Sequence, residues 1–355
     1  MENNKTKIAL ALRYRPKKFS EVVEQNAVKQ ILASELKSGN LKRCLLFTGP
    51  AGCGKTTDAR IFATEIEPVL TNTIEINCAD HTGVEDVRSL VIEPSRIKPI
   101  VGQYKIFILD ECHMLTTQSQ NALLKILEEP PAFCVYILCT TDPQKVLGTI
   151  LSRAFRYDFQ LISHQGIVDR LNYILESEKN DPEGCGIQSW DMDALSMVAT
   201  YAKGHMRDAI TTIDKLISFT KNITVQDVEN VLGVTSYELL FNVLDSIILK
   251  NENGLIQSLE NVCKSGMDLK LFAKNFLAFV LDANKYIILK NNNVPDYMSF
   301  LNIPRSFENR LMNYNLSHKQ SFNNLLKCLL ELNSKLKWET TVKPVLETEL
   351  LLGVM

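Results

Sequence analysis

Eight consecutive residues carry the densest chemical pattern in the chain: Gly49, Pro50, Ala51, Gly52, Cys53, Gly54, Lys55 and Thr56. They fit G-x-x-x-x-G-K-[ST] without a mismatch. Glycines in such a loop let backbone N–H groups turn inward around phosphate oxygens. The helix that opens after them adds its positive dipole end. Lys55 would reach the β- and γ-phosphates, and Thr56 would ligate magnesium. The bland alternative is a glycine-rich strand-to-helix turn that matches by chance. A second pattern sits downstream in ILDE. Asp110 is placed to help hold magnesium through its hydration shell. Glu111 is placed to polarise an attacking water. Here the alternative is a pair of solvated carboxylates at a strand end. Together the two patterns predict hydrolysis of a nucleoside triphosphate, with ATP the expected substrate and Mg2+ the expected metal.

These residues need elements that hold them. LKRCLLFTG, Leu41 to Gly49, reads as a buried strand running into a turn, and the stretch from Lys55 to Ile66 reads as a helix. TIEINCA (Thr73 to Ala79) is a second strand, and VEDVRSLVIEP suits a helix stopped by Pro94. YKIFILDE, Tyr104 to Glu111, is a third strand, followed by the helix QSQNALLKILEEPP, which ends at Pro130 and Pro131. FCVYILCTT is a fourth strand. Alternation of this kind predicts an α/β fold with a parallel sheet covered on both faces. Strand signals fade after about residue 160. ALSMVATYAKGHMRDAITTIDKLISF reads as two short helices joined near Gly204. LLFNVLDSIIL, LKLFAKNFLAFVLDANKYIIL and FNNLLKCLLELNSKLKW repeat apolar residues at helical spacing. Boundaries are expected near 162 and 235, giving blocks 1–162, 163–235 and 236–355.

Composition narrows the function classes. The chain has 355 residues, 45% hydrophobic and 23% charged, the balance of an ordinary globular protein rather than a disordered or collagen-like one. Thirty-nine Lys and Arg against 41 Asp and Glu exclude a uniformly basic nucleic-acid coat, but not a local basic patch. Residues 1–43 hold ten Lys/Arg and four Glu, which suits DNA contact or a solvated face equally. The start lacks the long apolar core of a secretion signal, and runs such as Phe276 to Leu281 are too short for a membrane helix. A soluble, cytoplasmic protein without membrane contact is the expectation. The nine cysteines are scattered and contain no CxxC pair, so reduced buried thiols and no zinc are expected.

More specific segments resemble one family. LALRYRPKKFSEVVEQ, DECHML running into QNALLKILEEPP, TTDPQKVLGTILSRAFRYDF and GHMRDAITTIDKL occur in the order found in the gamma/tau subunit of bacterial DNA polymerase III, an AAA+ clamp-loader ATPase. The resemblance covers about residues 8 to 235. The helical remainder fits the family's collar domain by length and helicity. It implies an AAA+ P-loop core, a small helical lid and an all-helical collar used in oligomerisation. The implied nucleotide set runs from Gly49 through Thr56 to Thr57, with Asp110. It also includes Arg13, Tyr14, Arg15 and Pro16, in the segment that would lie over the nucleotide, and the backbone near Val22 and Val23, which would meet the adenine.

The resemblance also implies roles that spacing does not give. Thr141, with Thr140 beside it, is similar to the polar sensor at the end of the fourth strand. Arg153, in SRA, resembles an arginine finger inserted into a neighbouring subunit's site. Arg207, in GHMRDA, resembles a second sensor on the lid. The plainer readings are a strand-end hydroxyl for Thr141 and surface helix arginines for the other two. Thr82, Arg88 and Thr116 are the candidates for phosphate contacts to DNA, although such residues also serve as ordinary caps and solvated charges. His113 is expected to pack or cap the next helix, Glu128 and Glu129 to be a solvated helix end, and His205 to lie on the lid surface.

Departures from the family pattern carry their own expectations. The cysteine-rich zinc module is replaced by EIEPVLTNT, SRC becomes SRA at Ala154, and Gly83 stands where relatives often place lysine. No long extension of the tau type follows residue 355, which suits a compact, phage-encoded or reduced-genome version. The function implied is a clamp-loader ATPase that opens a sliding clamp and releases it on primer–template DNA. Its partners would be the clamp, delta-type and delta-prime-type subunits and other copies of this chain. The alternatives are a non-hydrolysing loader scaffold or another DNA-linked AAA+ motor.

Overall fold

A computed structural model describes residues 8–182, 184–233, 235–264 and 266–354. Strands β1 (Cys44–Thr48), β2 (Thr73–Asn77), β3 (Lys105–Asp110), β4 (Cys134–Thr140) and β5 (Phe155–Asp158) form one sheet. Its order is β2-β3-β4-β1-β5, and every pairing is parallel. Strands β1 and β4 are buried at every position, as expected for strands covered on both faces. Their side chains alternate between two cores. Leu46, Phe107, Leu109, Tyr136 and Leu138 pack on one face with Val87, Val91, Leu123 and Leu127. Leu45, Phe47, Ile106, Ile108, Val135 and Ile137 pack on the other with Val28, Leu32, Ala59, Phe62 and Ala63.

Two features depart from the sequence reading. Edge strand β5 carries no apolar run, because three of its four residues are exposed, and it is recognisable only through its register against β1, Leu45 opposite Phe155 to Thr48 opposite Asp158. The helix expected to stop at Pro94 instead runs Val84–Val87, through a π turn at Arg88–Ile92, to Glu93–Ser95. Pro94, which has no N–H to donate, sits just past the widened turn, and the helix ends one residue after it. Lys105 Nζ then caps the far end by donating to the carbonyls of Pro94 and Ile97, at 3.0 and 2.7 Å.

The chain forms two compact units. One runs to Ile174 and includes Ala202–Asp214, and the other comprises Leu175–Tyr201 and the chain from Lys215. The first holds the five-stranded sheet and the helices Asn26–Ser38, Lys55–Ile66 and Thr117–Glu128. The second holds a two-stranded parallel ladder, β6 (Ser189–Trp190) with β7 (Asn222–Ile223). It also holds the helices Tyr237–Ile248, Glu252–Lys264, Leu269–Asn291, Lys319–Lys335 and Val342–Val354. Phe241, Phe272, Phe276, Phe279 and Phe322 fill its core, with the rings of Phe241 and Phe279 edge-to-face at 4.8 Å. The sequence reading makes this stretch helical but does not delimit two of these helices. Glu252–Lys264 buries only Leu255, Leu259 and Val262, and Val342–Val354 carries a proline in its first turn. Among the described residues no single helix is long and apolar enough to cross a membrane.

Candidate nucleotide site

Strands β1, β3 and β4 lie side by side, so their carboxyl ends open on one edge of the sheet, the usual position for ligands in open parallel sheets. The loop after β1 needs glycine at specific points. Gly49 has φ +148°, and a Cβ there would meet the Phe159 carbonyl oxygen at 2.5 Å. Gly52 and Gly54 have φ of +68° and +109°, conformations that L side chains rarely adopt. Gly54 also opens the helix Lys55–Ile66, whose first N–H groups therefore point into the loop. Pro50 accepts the Cys53 thiol at 2.9 Å, and burial pushes that thiol's pKa up, against the nearby charge of Lys55.

Lys55 is nearly enclosed and donates to the carbonyls of Gly49 and Pro50, each at 2.7 Å. Its ammonium is thus folded into the loop it would share with a phosphate. Thr56 Oγ1 donates to Asp110 Oδ2 at 2.9 Å, which brings the two expected magnesium ligands together. Asp110 has its pKa raised by burial and by the charge of Glu111, with the Thr56 hydrogen bond opposing. This oxygen-donor pair beneath a phosphate loop fits a hydrated hard cation. Thr57 follows, half-buried, in the same helix.

Glu111 adopts a left-handed backbone, φ +50°, unusual for a residue with a side chain. The chain there turns out of β3 into the short turn Cys112–Met114. Thr141 Oγ1, just past β4, donates to Glu111 Oε2 at 3.2 Å. His113 Nδ1 lies 3.4 Å from the same oxygen and 3.0 Å from Thr140 Oγ1. His113, expected to pack or cap, is packed there with its ring beside Glu111. The signal for this was the three-residue spacing from Asp110 across a tight turn, which periodicity does not reveal.

The other expected residues are spread around this edge. Arg207 is the second residue of the helix Met206–Phe219, and a Cβ on Gly52 would lie 3.4 Å from the Arg207 Cβ. His205, expected on the lid surface, instead places Nδ1 2.6 Å from the Ala51 carbonyl oxygen. Arg15 lies in the segment that the resemblance places over the nucleotide. Burial lowers its pKa, helped by the charges of Arg60 and Arg207 and opposed by Glu75 and Asp110, so it belongs to the same charged cluster. Arg13 and Tyr14 stack guanidinium on ring at 5.4 Å, and Tyr14 accepts from Arg170 at 2.7 Å through its carbonyl. Val22 is buried, and its carbonyl accepts from Lys29 Nζ at 2.9 Å. Val23 reaches toward Gly166, where a Cβ would meet it at 3.0 Å. Gln25 ties these pieces together. It donates to the carbonyls of Gln160 and Cys53 at 2.7 and 3.4 Å, and accepts from Gln160 N at 3.1 Å.

Arg153 stands apart from these contacts. It donates to the Thr149 carbonyl at 2.8 Å and pairs with Glu128 at 3.1 Å, so Glu128 is a partner rather than only a solvated helix end. Thr82 and Thr116 lie together at two helix starts. The Thr82 carbonyl accepts from Thr116 N at 3.2 Å and from Ser119 Oγ at 2.7 Å. Thr116 caps the helix Thr117–Glu128. Arg88 is exposed and pairs with Glu85 at 2.7 Å. Among the described residues no group of three or more His, Cys, Asp or Glu side chains could hold a metal ion. The cysteines are unpaired, most of them buried.

A five-stranded parallel sheet with a phosphate loop after β1 and paired carboxylates after β3 defines a P-loop protein of the AAA+ class. More particularly, the chain is a relative of the gamma and tau subunits of DNA polymerase III. Residues 72–163 match the family described as DNA polymerase III, delta subunit, and residues 223–299 match DNA polymerase III subunits gamma and tau domain III. It is 33% identical over 295 residues to the tau subunit of Bacillus subtilis, covering 77% of this chain and 51% of that one. It is 28% identical to the gamma subunit of Buchnera aphidicola, covering 80% of this chain and 84% of the relative. The chain spans about half the length of the first curated relatives it matches. A structure of a Thermotoga maritima RuvB variant aligns with a TM-score of 0.50 at 20% identity, over 72% of this chain and 86% of that one, a likeness of fold alone.

Proposed function

We propose that this chain is the ATPase subunit of a sliding-clamp loader. ATP binding would drive clamp opening and engagement of primer–template DNA, and hydrolysis would release the clamp on DNA. The 2.9 Å bond between Thr56 and Asp110, under a loop that already holds Lys55 inward, is the observation that carries the reading. The backbone N–H groups of Ala51 to Thr57 would bind the phosphates, and Lys55 would exchange its loop carbonyls for phosphate oxygens. Thr56 and Asp110 would hold magnesium, which neutralises charge on the transferred phosphoryl group. Glu111 would accept a proton from the attacking water, with Thr141 and Arg207 sensing the γ-phosphate. Arg13, Tyr14, Val22 and Val23 would line the base. Arg153 would act in a neighbouring copy, and Thr82, Arg88 and Thr116 would meet DNA phosphates. The blocks 1–162, 163–235 and 236–355 are the proposed core, lid and collar, and the proposed setting is the cytoplasm.

The test is the ATPase rate of the chain with delta-type and delta-prime-type partners, with and without primed DNA and the clamp. Strong stimulation by clamp plus primed DNA, lost in Arg153→Ala, is the expected result. Binding of ATP without turnover under any addition would favour a scaffold. Stimulation by DNA alone, indifferent to clamp, would indicate another motor.

A further inference from the structure

Three successive carbonyls of the phosphate loop accept from side chains. Those of Gly49 and Pro50 take the ammonium of Lys55, which belongs to the loop itself. That of Ala51 takes Nδ1 of His205 at 2.6 Å, from a residue 154 positions further along the chain. A carbonyl oxygen only accepts, so Nδ1 carries the proton. The peptide from Ala51 to Gly52 is trans, so its C=O and its N–H point in opposite directions. With the oxygen held toward His205, the N–H of Gly52 is turned away from that ring. Gly52 has φ +68° and no Cβ, so its own conformational preference does little to fix this peptide.

The backbone before His205 is built to aim it. Lys203 and Gly204 are both left-handed, with φ of +50° and +89°. A Cβ on Gly204 would meet Leu161 Cβ at 2.7 Å, and the Gly204 carbonyl accepts from Ile162 N at 3.2 Å. Two left-handed residues in succession persist only where their surroundings hold them. The His205 carbonyl then accepts from the N–H groups of Asp208 and Ala209 at 3.1 and 3.2 Å, which starts the helix Met206–Phe219. The imidazole therefore leaves a fixed turn, and the ring itself is half-buried.

We propose that His205 is a positioning residue that sets the Ala51–Gly52 peptide, so that the Gly52 N–H is presented to a nucleotide phosphate before the nucleotide arrives. The proposal rests on the ATPase reading above. His205 touches the loop carbonyl and not the nucleotide. Lys55 leaves its carbonyls when phosphate enters, whereas the His205 bond comes from another element and stays. Without it, the glycine peptide samples other orientations, and binding has to select the right one. Backbone N–H groups of such a loop cradle the α- and β-phosphates, so ATP and ADP lose affinity alike.

The experiment uses the complete chain assembled with its loader partners. Titration calorimetry gives Kd for MgATP and MgADP, and steady-state rates with clamp and primed DNA give kcat and KM. His205→Ala should raise both Kd values and KM by a common factor of about three to ten, the effect of weakening one hydrogen bond to a charged acceptor. Turnover at saturating MgATP should stay within about twofold, because ground state and transition state lose the same contact. His205→Asn, whose side-chain amide can donate from the Nδ1 position, should bring both Kd values back to within about twofold of the parent. Circular dichroism melts identify a variant that does not fold, and the ATP-to-ADP comparison in the other still decides the matter. Unchanged Kd values in His205→Ala, a loss confined to ATP, or a folded His205→Asn as weak as the alanine variant overturns the proposal and leaves the ATPase reading intact. A parent assembly that neither binds nor hydrolyses MgATP overturns both.

Discussion

Asp58 lies one helical turn beyond Lys55, fully buried, with neither carboxylate oxygen hydrogen-bonded among the described residues. Burial pushes its pKa up to about 7, opposed by the charge of Lys29. The folded state therefore binds the proton more tightly than the unfolded chain. This group's contribution is fully present below the unfolded value near 3.8 and is lost as pH rises toward 7. Asp58→Asn should remove that loss, with a stability gain over the parent that grows to the order of 2–4 kcal/mol between pH 5 and pH 8. Urea titrations at both pH values check it, and a gap that does not widen with pH would refute it. Lys55 permits a cleaner functional test. Its contacts are loop carbonyls, and Lys55→Ala should abolish measurable ATP binding while moving the melting temperature little. Isothermal titration with MgATP and a parallel melt read the two effects separately.

Elements act here through their ends. The junction of β1 with the phosphate loop tolerates no side chain at Gly49, where φ is +148° and a Cβ would meet the Phe159 carbonyl oxygen at 2.5 Å. Gly49→Ala should destabilise the sheet unit by about 2 kcal/mol or more and weaken nucleotide binding with it. Gly54→Ala meets no atom within 4 Å but adopts φ +109°, so its cost is backbone strain alone, about 1–2 kcal/mol. Equal losses at the two positions, measured by chemical denaturation, would contradict this account. The helix starts at Thr82–Gly83 and Thr116 are joined by the Thr82 carbonyl, and the exposed Arg88, in the π turn of the first of these helices, pairs with Glu85. Surface pairs of this kind contribute little to stability. Arg88→Ala should therefore leave the fold unchanged while weakening DNA-stimulated hydrolysis and shallowing its salt dependence. Unchanged stimulation would remove Arg88 from the DNA contacts.

For the whole molecule, the proposed trans role of Arg153 makes activity a property of assembly. Its bonds to Thr149 and Glu128 keep the guanidinium at the end of the short helix Gly148–Leu151, in the same structural unit as the phosphate loop. Turnover per chain should rise with protein concentration, and Arg153→Ala should lower kcat by about 10³-fold or more with ATP binding retained. Mixing Arg153→Ala with Lys55→Ala chains should recover part of the rate, since each supplies what the other lacks. Full turnover from dilute, monomeric protein would overturn the shared site.

Much of this was legible in the residues themselves. Contiguous patterns such as Gly49–Thr56 and Asp110–Glu111 specify their own local geometry, because a phosphate loop and a strand end are built from neighbours in the chain. The buried strands β1, β3 and β4 announced themselves as apolar runs, since both their faces are covered. Strand β5 did not, because an edge strand half in solvent carries no such run. The approach of His205 to Ala51, the clamp of Gln25 on Gln160 and the triangle of His113, Thr140 and Glu111 were equally hidden. Each joins segments separated in sequence, or turns on a backbone angle, and pattern reading follows only local spacing. Sequence alone thus determined where the phosphate-loop pattern and the carboxylate pair stand, the parallel α/β class and the helical remainder. Only the folded chain decided which side chains meet at the end of β3, which carboxyl is buried without a hydrogen bond among the described residues and where an added Cβ cannot fit, because those depend on distances between elements that close packing alone sets.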